Sequence, residues 1–136
     1  MVKKYVALAS VSGWNGILNF LSESVSGFLP YKIATQELFG ACEEIFVNIS
    51  SYAYDGAEGE VEILLEVIPE KEVRVKFIDS GKYFDPTKVS DPNTKSGAKE
   101  RKIGGLGIFV AKKMSDKMEY ERKEGKNILT ITKFKR

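Results

Sequence analysis

One long amphipathic helix, predicted over residues 35–54, constrains the fold of this chain more than any other stretch. Apolar residues recur there at alternating steps of four and three residues, which is the spacing of one helical face. They are Leu38, Cys42, Ile45, Ile49 and Tyr52. At about 100° per residue, Glu44 and Asn48 fall together along one edge of this face. Polar groups beside a buried face cost free energy unless a partner satisfies them, so this edge either meets solvent or contributes to a metal–phosphate site.

The composition indicates one soluble, globular domain, which we expect to cover residues 1–136. A chain of 136 residues suits a single core, and 43% apolar with 29% charged residues is typical of soluble proteins. The net charge of +2 is too small to indicate nucleic-acid binding by itself. The sequence contains no run of eighteen apolar residues, so no membrane span is predicted.

Two residue types narrow the chemistry. Cys42 is the sole cysteine, so no internal disulfide can form. Because no signal-peptide pattern opens the sequence either, we expect a cytoplasmic protein. Histidine is absent, which excludes Ser–His–Asp catalysis, histidine-ligated zinc and phosphohistidine formation on this chain.

Periodic patterns elsewhere predict two further helices and five strands. The helices are predicted over residues 14–28, with Pro30 ending the first, and over residues 103–115. Phe20 and Leu29 lie off the apolar face of the first helix, either as ordinary partly exposed residues or as part of a partner surface. The strands are predicted over residues 2–10, 61–67, 73–79, 117–123 and 127–134, with hairpin turns at 69–72 and 124–126.

Asp79 ends the apolar face of the strand over residues 73–79. The two-residue period of a strand places its carboxylate on the same face as Val75 and Phe77. Such a carboxylate is a candidate site residue. It also suits the first position of the turn formed by residues 79–81, where Asp is common.

Residues 85–102 are predicted to form a lid. This stretch has two prolines, almost no apolar residues and a basic bias. Loops of such length within compact domains are usually functional lids or disordered segments. The basic bias would suit a polyphosphate ligand, although a solvated loop can carry it as well.

Three glycines, Gly104, Gly105 and Gly107, lie at the start of the helix predicted over residues 103–115. They weaken a helix start, but they let backbone N–H groups approach a ligand closely. Together with the positive end of the helix dipole they indicate an anion site. No Gly-Lys-Ser/Thr sequence follows, so this is not a Walker loop.

Three sequence motifs resemble, in order, those of the GHKL (histidine kinase-like) ATPase family, and in particular its anti-sigma-factor serine/threonine kinases. They are EIFVNISSYAY at 44–54, DSGKYFDP at 79–86 and GGLGI at 104–108. Each motif is weak alone, but the likeness covers nearly the whole chain. It implies a Bergerat-type α+β two-layer sandwich, with a mixed, mainly antiparallel sheet covered on one face by three helices.

The resemblance also implies roles for four residues. Asp79 would accept the adenine amino hydrogen of ATP, with Gly81 allowing the base to approach. Asn48 would hold the Mg²⁺ ion that bridges the phosphates, since an amide oxygen suits a hard cation. Glu44 would act as the general base on the substrate hydroxyl.

The triphosphate would be held by the end of the lid and the start of the last helix. The resemblance assigns this role to Arg101, Lys102, Gly104, Gly105, Leu106 and Gly107.

Four positions depart from the family pattern. Tyr52 stands at the family histidine, Tyr83 at the second glycine of the aspartate motif, and Ile45 at the alanine after the glutamate. Asn127 stands where a threonine is often found. The ring of Tyr83 could either crowd the adenine or stack on it. Because Glu44 and Asn48 are present, these departures do not exclude catalysis.

Three functions are compatible with this resemblance. The first is a kinase that phosphorylates an anti-sigma-factor antagonist and binds a sigma factor. The second is a nucleotide-gated binding protein without kinase activity, and the third is a stand-alone catalytic domain of a two-component kinase. We expect protein partners, with a homodimer left open, and neither direct nucleic-acid binding nor membrane association.

Overall fold

The protein is described here by a computed structural model that covers residues 2–25, 28, 32–89 and 106–135. Within these residues, five strands form one sheet in the order β1-β2-β3-β5-β4, and every neighbouring pair is antiparallel. The strands are β1 (Val2–Leu8), β2 (Glu60–Ile68), β3 (Glu72–Asp79), β4 (Lys117–Lys123) and β5 (Lys126–Phe134).

The register of the central strands places two polar residues side by side at one end of the sheet. Asp79, the last residue of β3, pairs with Val61 of β2 on one side and with Asn127 of β5 on the other. The tight turn that joins β4 to β5, with positive φ angles of 53° at Glu124 and 76° at Gly125, fixes the pairing of β4 with β5 directly beside Asn127.

Three described helices pack on one face of the sheet. They are α1 (Trp14–Val25), α2 (Lys32–Tyr52) and α3 (Leu106–Met114). Short 3₁₀ helices lie at Val11–Gly13 and Pro86–Lys88. The helices and the inward strand residues share one core, whose largest fully buried members include Phe46, Phe77, Ile17, Leu21, Leu38, Ile45, Ile63 and Ile108. None of the described helices is both long and apolar enough to cross a membrane.

The two-layer α+β fold predicted from the sequence is confirmed. The sheet is antiparallel at each described pair, so the mixed component of the prediction is not found there. Several boundaries differ from the predicted ones. Among the described residues, Phe28 lies in a turn and not in α1, β1 ends at Leu8, and α2 runs over Lys32–Tyr52 rather than residues 35–54.

Candidate functional site

A pocket that is partly open to solvent lies between α2 and the end of the sheet at which β3 stops. One wall consists of residues at and after the C-terminal half of α2, namely Ile45, Asn48, Ile49, Tyr52 and Ala53. The rest is formed by Asp79, Lys82, Tyr83, Phe84, Pro86, Tyr120, Asn127 and Leu129.

Asp79 lies in the wall of this pocket and is only 5% exposed. Its Oδ1 accepts hydrogen bonds from the Gly81 backbone N–H and from the Asn127 amide, both at 2.9 Å. The carboxylate therefore forms the turn after β3 and also faces the pocket. Both interpretations drawn from the sequence, the turn residue and the pocket residue, describe the same side chain.

Asn127 links Asp79 to the segment that follows β3. Its Nδ2 donates to Asp79 Oδ1 and to the Lys82 carbonyl at 2.8 Å, which uses both amide hydrogens. Its Oδ1 accepts from the Arg122 Nη1 at 3.0 Å and from the Tyr120 hydroxyl. These contacts hold the side chain of Asp79 in one orientation.

Two neighbours complete this cluster, which we call the β5 end of the pocket (Asp79, Tyr120, Arg122 and Asn127). Arg122 Nη1 also donates to the Gly81 carbonyl at 3.0 Å. Burial raises the pKa of the Tyr120 phenol, so the hydroxyl stays protonated near neutral pH. It can therefore donate its hydrogen bond to Asn127 Oδ1. The sequence had marked Asn127 only as a departure from a family pattern and Tyr120 only as a strand residue.

Gly81 is required by packing. A Cβ at this position would lie 2.3 Å from the carbonyl oxygen of Ala53, which follows α2. The same carbonyl accepts from the Lys82 N–H at 3.0 Å. The glycine thus lets the turn after β3 meet the end of α2 and close one side of the pocket.

The opposite part of the site, which we call the α3 end (Glu44, Asn48 and Gly107), joins α2 to the first turn of α3. Asn48 is 8% exposed and lines the pocket. Within the described residues its buried Nδ2 has no hydrogen-bond partner. Since an unpaired buried polar group costs about 1–3 kcal/mol, this amide fits a site that a ligand completes.

Glu44 is half-buried and lies against the start of α3. A Cβ on Gly107 would come within 2.6 Å of Glu44 Oε2, so the glycine makes room for the carboxylate. Glu44 is not among the residues that line the pocket. It lies one helical turn from Asn48, beside the N-terminal turn of α3, where a helix favours negative charge.

The first part of the predicted lid is packed against α3. Asp85 Oδ1 accepts from the Thr87 N–H at 2.8 Å at the start of the 3₁₀ helix. Lys112 Nζ of α3 donates to the Val89 carbonyl at 2.8 Å. Lys112 therefore connects the segment over residues 85–89 to α3, the helix whose first turn belongs to the α3 end of the site.

The remaining predicted phosphate ligands divide into two groups. Leu106 and Gly107 begin α3, and Leu106 is 56% exposed. The predicted ligands Arg101, Lys102, Gly104 and Gly105 lie outside the described residues, as does the predicted lid from residue 90 onward.

Asn48 suits a magnesium ion that is shared with substrate phosphates better than a metal ion held by protein ligands alone. No group of three or more His, Cys, Asp or Glu residues in the described part of the chain could hold a metal. Magnesium is commonly bound by one or two protein oxygens together with substrate phosphates. Asn48, buried in the wall of the pocket, carries an amide oxygen of this kind, and its unpaired Nδ2 could donate to a phosphate oxygen.

Comparison with known proteins identifies the class. The chain belongs to the family of histidine kinase-like ATPase domains, whose sequence profile matches residues 16–133. Family membership implies that the chain binds ATP. The family inferred from the three motifs is thereby confirmed.

Two more specific likenesses agree with this class. The chain is 28% identical over 91 residues to the serine/threonine-protein kinase BtrW of Bordetella bronchiseptica. That alignment covers 66% of this chain and 63% of BtrW, which is less than two thirds of that protein. The whole chain also superposes, with a TM-score of 0.66 and 16% identity, on 33% of a chain in the crystal structure of the RsbU and RsbW domains of Rv1364c from Mycobacterium tuberculosis. The second likeness concerns the fold alone.

Proposed function

We propose that this chain is an ATP-dependent protein serine/threonine kinase of the anti-sigma-factor type. Its substrate would be an anti-sigma-factor antagonist, and it would also bind and regulate a sigma factor. The observation that carries the proposal is the arrangement along α2, where Asn48 faces the pocket shared with Asp79 and Glu44 lies one turn away beside Gly107. The similarity to BtrW, which is named a serine/threonine-protein kinase, supports the assignment.

The β5 end would bind the adenine. Asp79 would accept a hydrogen from the adenine amino group, and its orientation is already set by Gly81 and Asn127. Apolar side chains of α2, Ile45 and Ile49, line the same pocket and would cover the ring. The α2 residues and the carboxylate would therefore orient the nucleotide before any chemistry occurs.

The α3 end would bind the phosphates. Asn48 would hold the Mg²⁺ ion, which supplies positive charge to the phosphate oxygens. Gly107 opens the N-terminal turn of α3, where the helix dipole favours an anion. The other proposed contacts come from Arg101, Lys102, Gly104, Gly105 and Leu106.

Glu44 would act as the general base. The serine oxygen of the substrate would attack the γ-phosphorus, the bond to the ADP oxygen would break, and the serine proton would pass to the Glu44 carboxylate. Phosphoryl transfer needs mainly positioning, charge stabilisation and an oriented base. What supports this role is the position of the Glu44 carboxylate against Gly107 in the first turn of α3, the turn proposed to bind the phosphates.

A second candidate function is a nucleotide-gated binding protein without kinase activity. Tyr83 favours it, because a large side chain, 58% exposed, stands at the mouth of the pocket where the family pattern has a glycine. A nucleotide seated differently by that ring could still control partner binding without placing its γ-phosphate beside Glu44.

The variant Glu44→Gln separates these two functions. It keeps the shape of the side chain and removes its ability to take a proton. We expect phosphate transfer from labelled ATP to a serine-containing antagonist to slow by about 10²–10⁴-fold, while ATP affinity stays near that of the wild type. Transfer would be followed by radiolabel, and affinity by calorimetry.

Glu43→Gln is the matched control, since Glu43 is an exposed neighbour on α2. It should transfer phosphate at the wild-type rate. If Glu44→Gln also does so, Glu44 is only a boundary residue. If the wild type binds ATP and its partner but phosphorylates none of the candidate antagonists, the binding-protein function is correct.

A further inference from the structure

Two tyrosine rings meet at a right angle beside Asp79. The centroids of the Tyr83 and Tyr120 rings are 5.9 Å apart and their planes are inclined by 83°. Both residues line the pocket. Tyr120 is held in place because its hydroxyl donates to Asn127, the residue that also fixes Asp79.

Tyr83 has a ring that is only partly used by these contacts. The residue is 58% exposed although it is aromatic and lies next to an apolar pocket. Its edge-to-face contact with Tyr120 orients the ring, since such pairs prefer perpendicular geometry. A large part of its aromatic surface is therefore free to contact a ligand.

This corner suits a flat heterocycle. A ring whose amino edge points toward Asp79 would enter between the apolar side chains of α2, Ile45 and Ile49, and the two tyrosines. Aromatic side chains stack on heterocyclic bases through their faces, and this contact needs no hydrogen bond from the base. The β5 end would then supply the hydrogen-bond acceptor and the corner would supply the stacking surface.

The geometry points to Tyr83 as a specificity-determining residue that stacks on the base of the bound nucleotide, with Tyr120 as the positioning residue that sets its ring. The inference rests on the proposed nucleotide site and names the part of the ligand that Tyr83 contacts. It gives the tyrosine at the family's glycine position a binding role instead of a crowding one.

The test compares ligands with and without a base. Losing a ring that stacks on a base weakens binding about 5- to 150-fold, and we expect about 5- to 10-fold for Tyr83→Gly because the ring is largely exposed. ATP, ADP and adenosine should lose affinity by a similar factor. Inorganic tripolyphosphate with magnesium has no base. It should therefore bind the variant and the wild type with the same affinity.

Conservative variants distinguish stacking from a structural role. Tyr83→Phe keeps the ring and should retain ATP affinity, whereas Tyr83→Leu keeps apolar volume without aromatic faces and should behave like Tyr83→Gly. Melting temperatures without nucleotide show whether each variant is folded. Tyr83→Leu carries the test if the glycine variant does not fold. Tyr83→Trp should in addition show quenching of its indole fluorescence when ATP is added.

Three results would overturn the inference while leaving the ATP site itself in place. Equal or tighter ATP binding by Tyr83→Gly would mean that the ring crowds the base. Equal loss in the Gly and Phe variants would mean that the hydroxyl, not the ring, makes the contact. Equal loss for tripolyphosphate would assign the effect to the phosphates. A wild-type protein that binds no ATP would instead overturn the proposed function together with this inference.

Discussion

At the β5 end of the pocket the polar groups hydrogen-bond to one another, whereas at the α3 end the nitrogen of a buried amide has no partner among the described residues. Asn127 satisfies Asp79, the Lys82 carbonyl, Tyr120 and Arg122 at the same time. Asn48, across the pocket on α2, leaves its Nδ2 unpaired. One end is therefore held in place by its own hydrogen bonds before a ligand arrives, and the other retains an unpaired donor.

This difference suggests how the site divides its work. Groups that are fixed before binding lose little entropy when the ligand arrives, so they favour affinity and orientation. A group left unpaired costs stability in the free protein and regains it only when a ligand supplies the partner. The β5 end should thus contribute to folding, while the α3 end should contribute chiefly to the bound state.

The largest effect is expected at the α3 end, from Asn48→Ala. Removing the proposed metal ligand should lower ATP·Mg²⁺ affinity and slow phosphate transfer together, the latter by about 10²-fold. Stability without nucleotide should not fall, because the lost Nδ2 is unpaired and leaves no partner behind. Calorimetry, a transfer assay and urea unfolding measure the three quantities.

Ser51→Ala, at an exposed position near the end of the same helix, is the control for Asn48→Ala and should leave all three unchanged. A clear loss of nucleotide-free stability in Asn48→Ala, with ATP affinity intact, would show that Asn48 is a structural residue.

The smaller effect is expected at the β5 end, from Asn127→Ala. Its free energy of unfolding should fall by about 1–3 kcal/mol without nucleotide, because several buried groups lose their partner at once. ATP affinity should also fall, since Asp79 loses its fixed orientation. Lys126→Ala, at the exposed neighbouring position of β5, should unfold like the wild type in urea. Unchanged stability in Asn127→Ala would remove the contrast between the two ends.

The sequence predicts the α3 end and the fold better than the β5 end. Glu44 and Asn48 are four residues apart on one helix, so helical geometry alone places them on a common edge. Strand alternation likewise predicts that Asp79 faces the core, and it is buried. These inferences depend on local periodicity, which a single sequence displays directly.

The cluster around Asn127 depends on contacts between residues far apart in sequence. Asp79 and Asn127 become neighbours only through the β3–β5 register, and Tyr120 reaches Asn127 only across the β4–β5 hairpin. The hairpin and the strands are visible as patterns, but which side chains bond within the pocket depends on register and rotamers. Phe28 has the same character, since it matches the helical period of α1 but lies in a turn, where its N–H donates to the Val25 carbonyl.

The central claim is that this pocket binds ATP with Asp79 as its fixed acceptor, and thermal unfolding with and without ATP·Mg²⁺ tests it most directly. At a ligand concentration a hundredfold above Kd, linkage stabilises the folded protein by ~2.7 kcal/mol. This corresponds to a rise in Tm of roughly several degrees for a domain of this size. Asp79→Asn should lose most of that rise, because an amide cannot reproduce both the charge and the acceptor pattern of the carboxylate. A wild-type Tm that does not move with saturating ATP, or an equal rise in Asp79→Asn, would contradict the account.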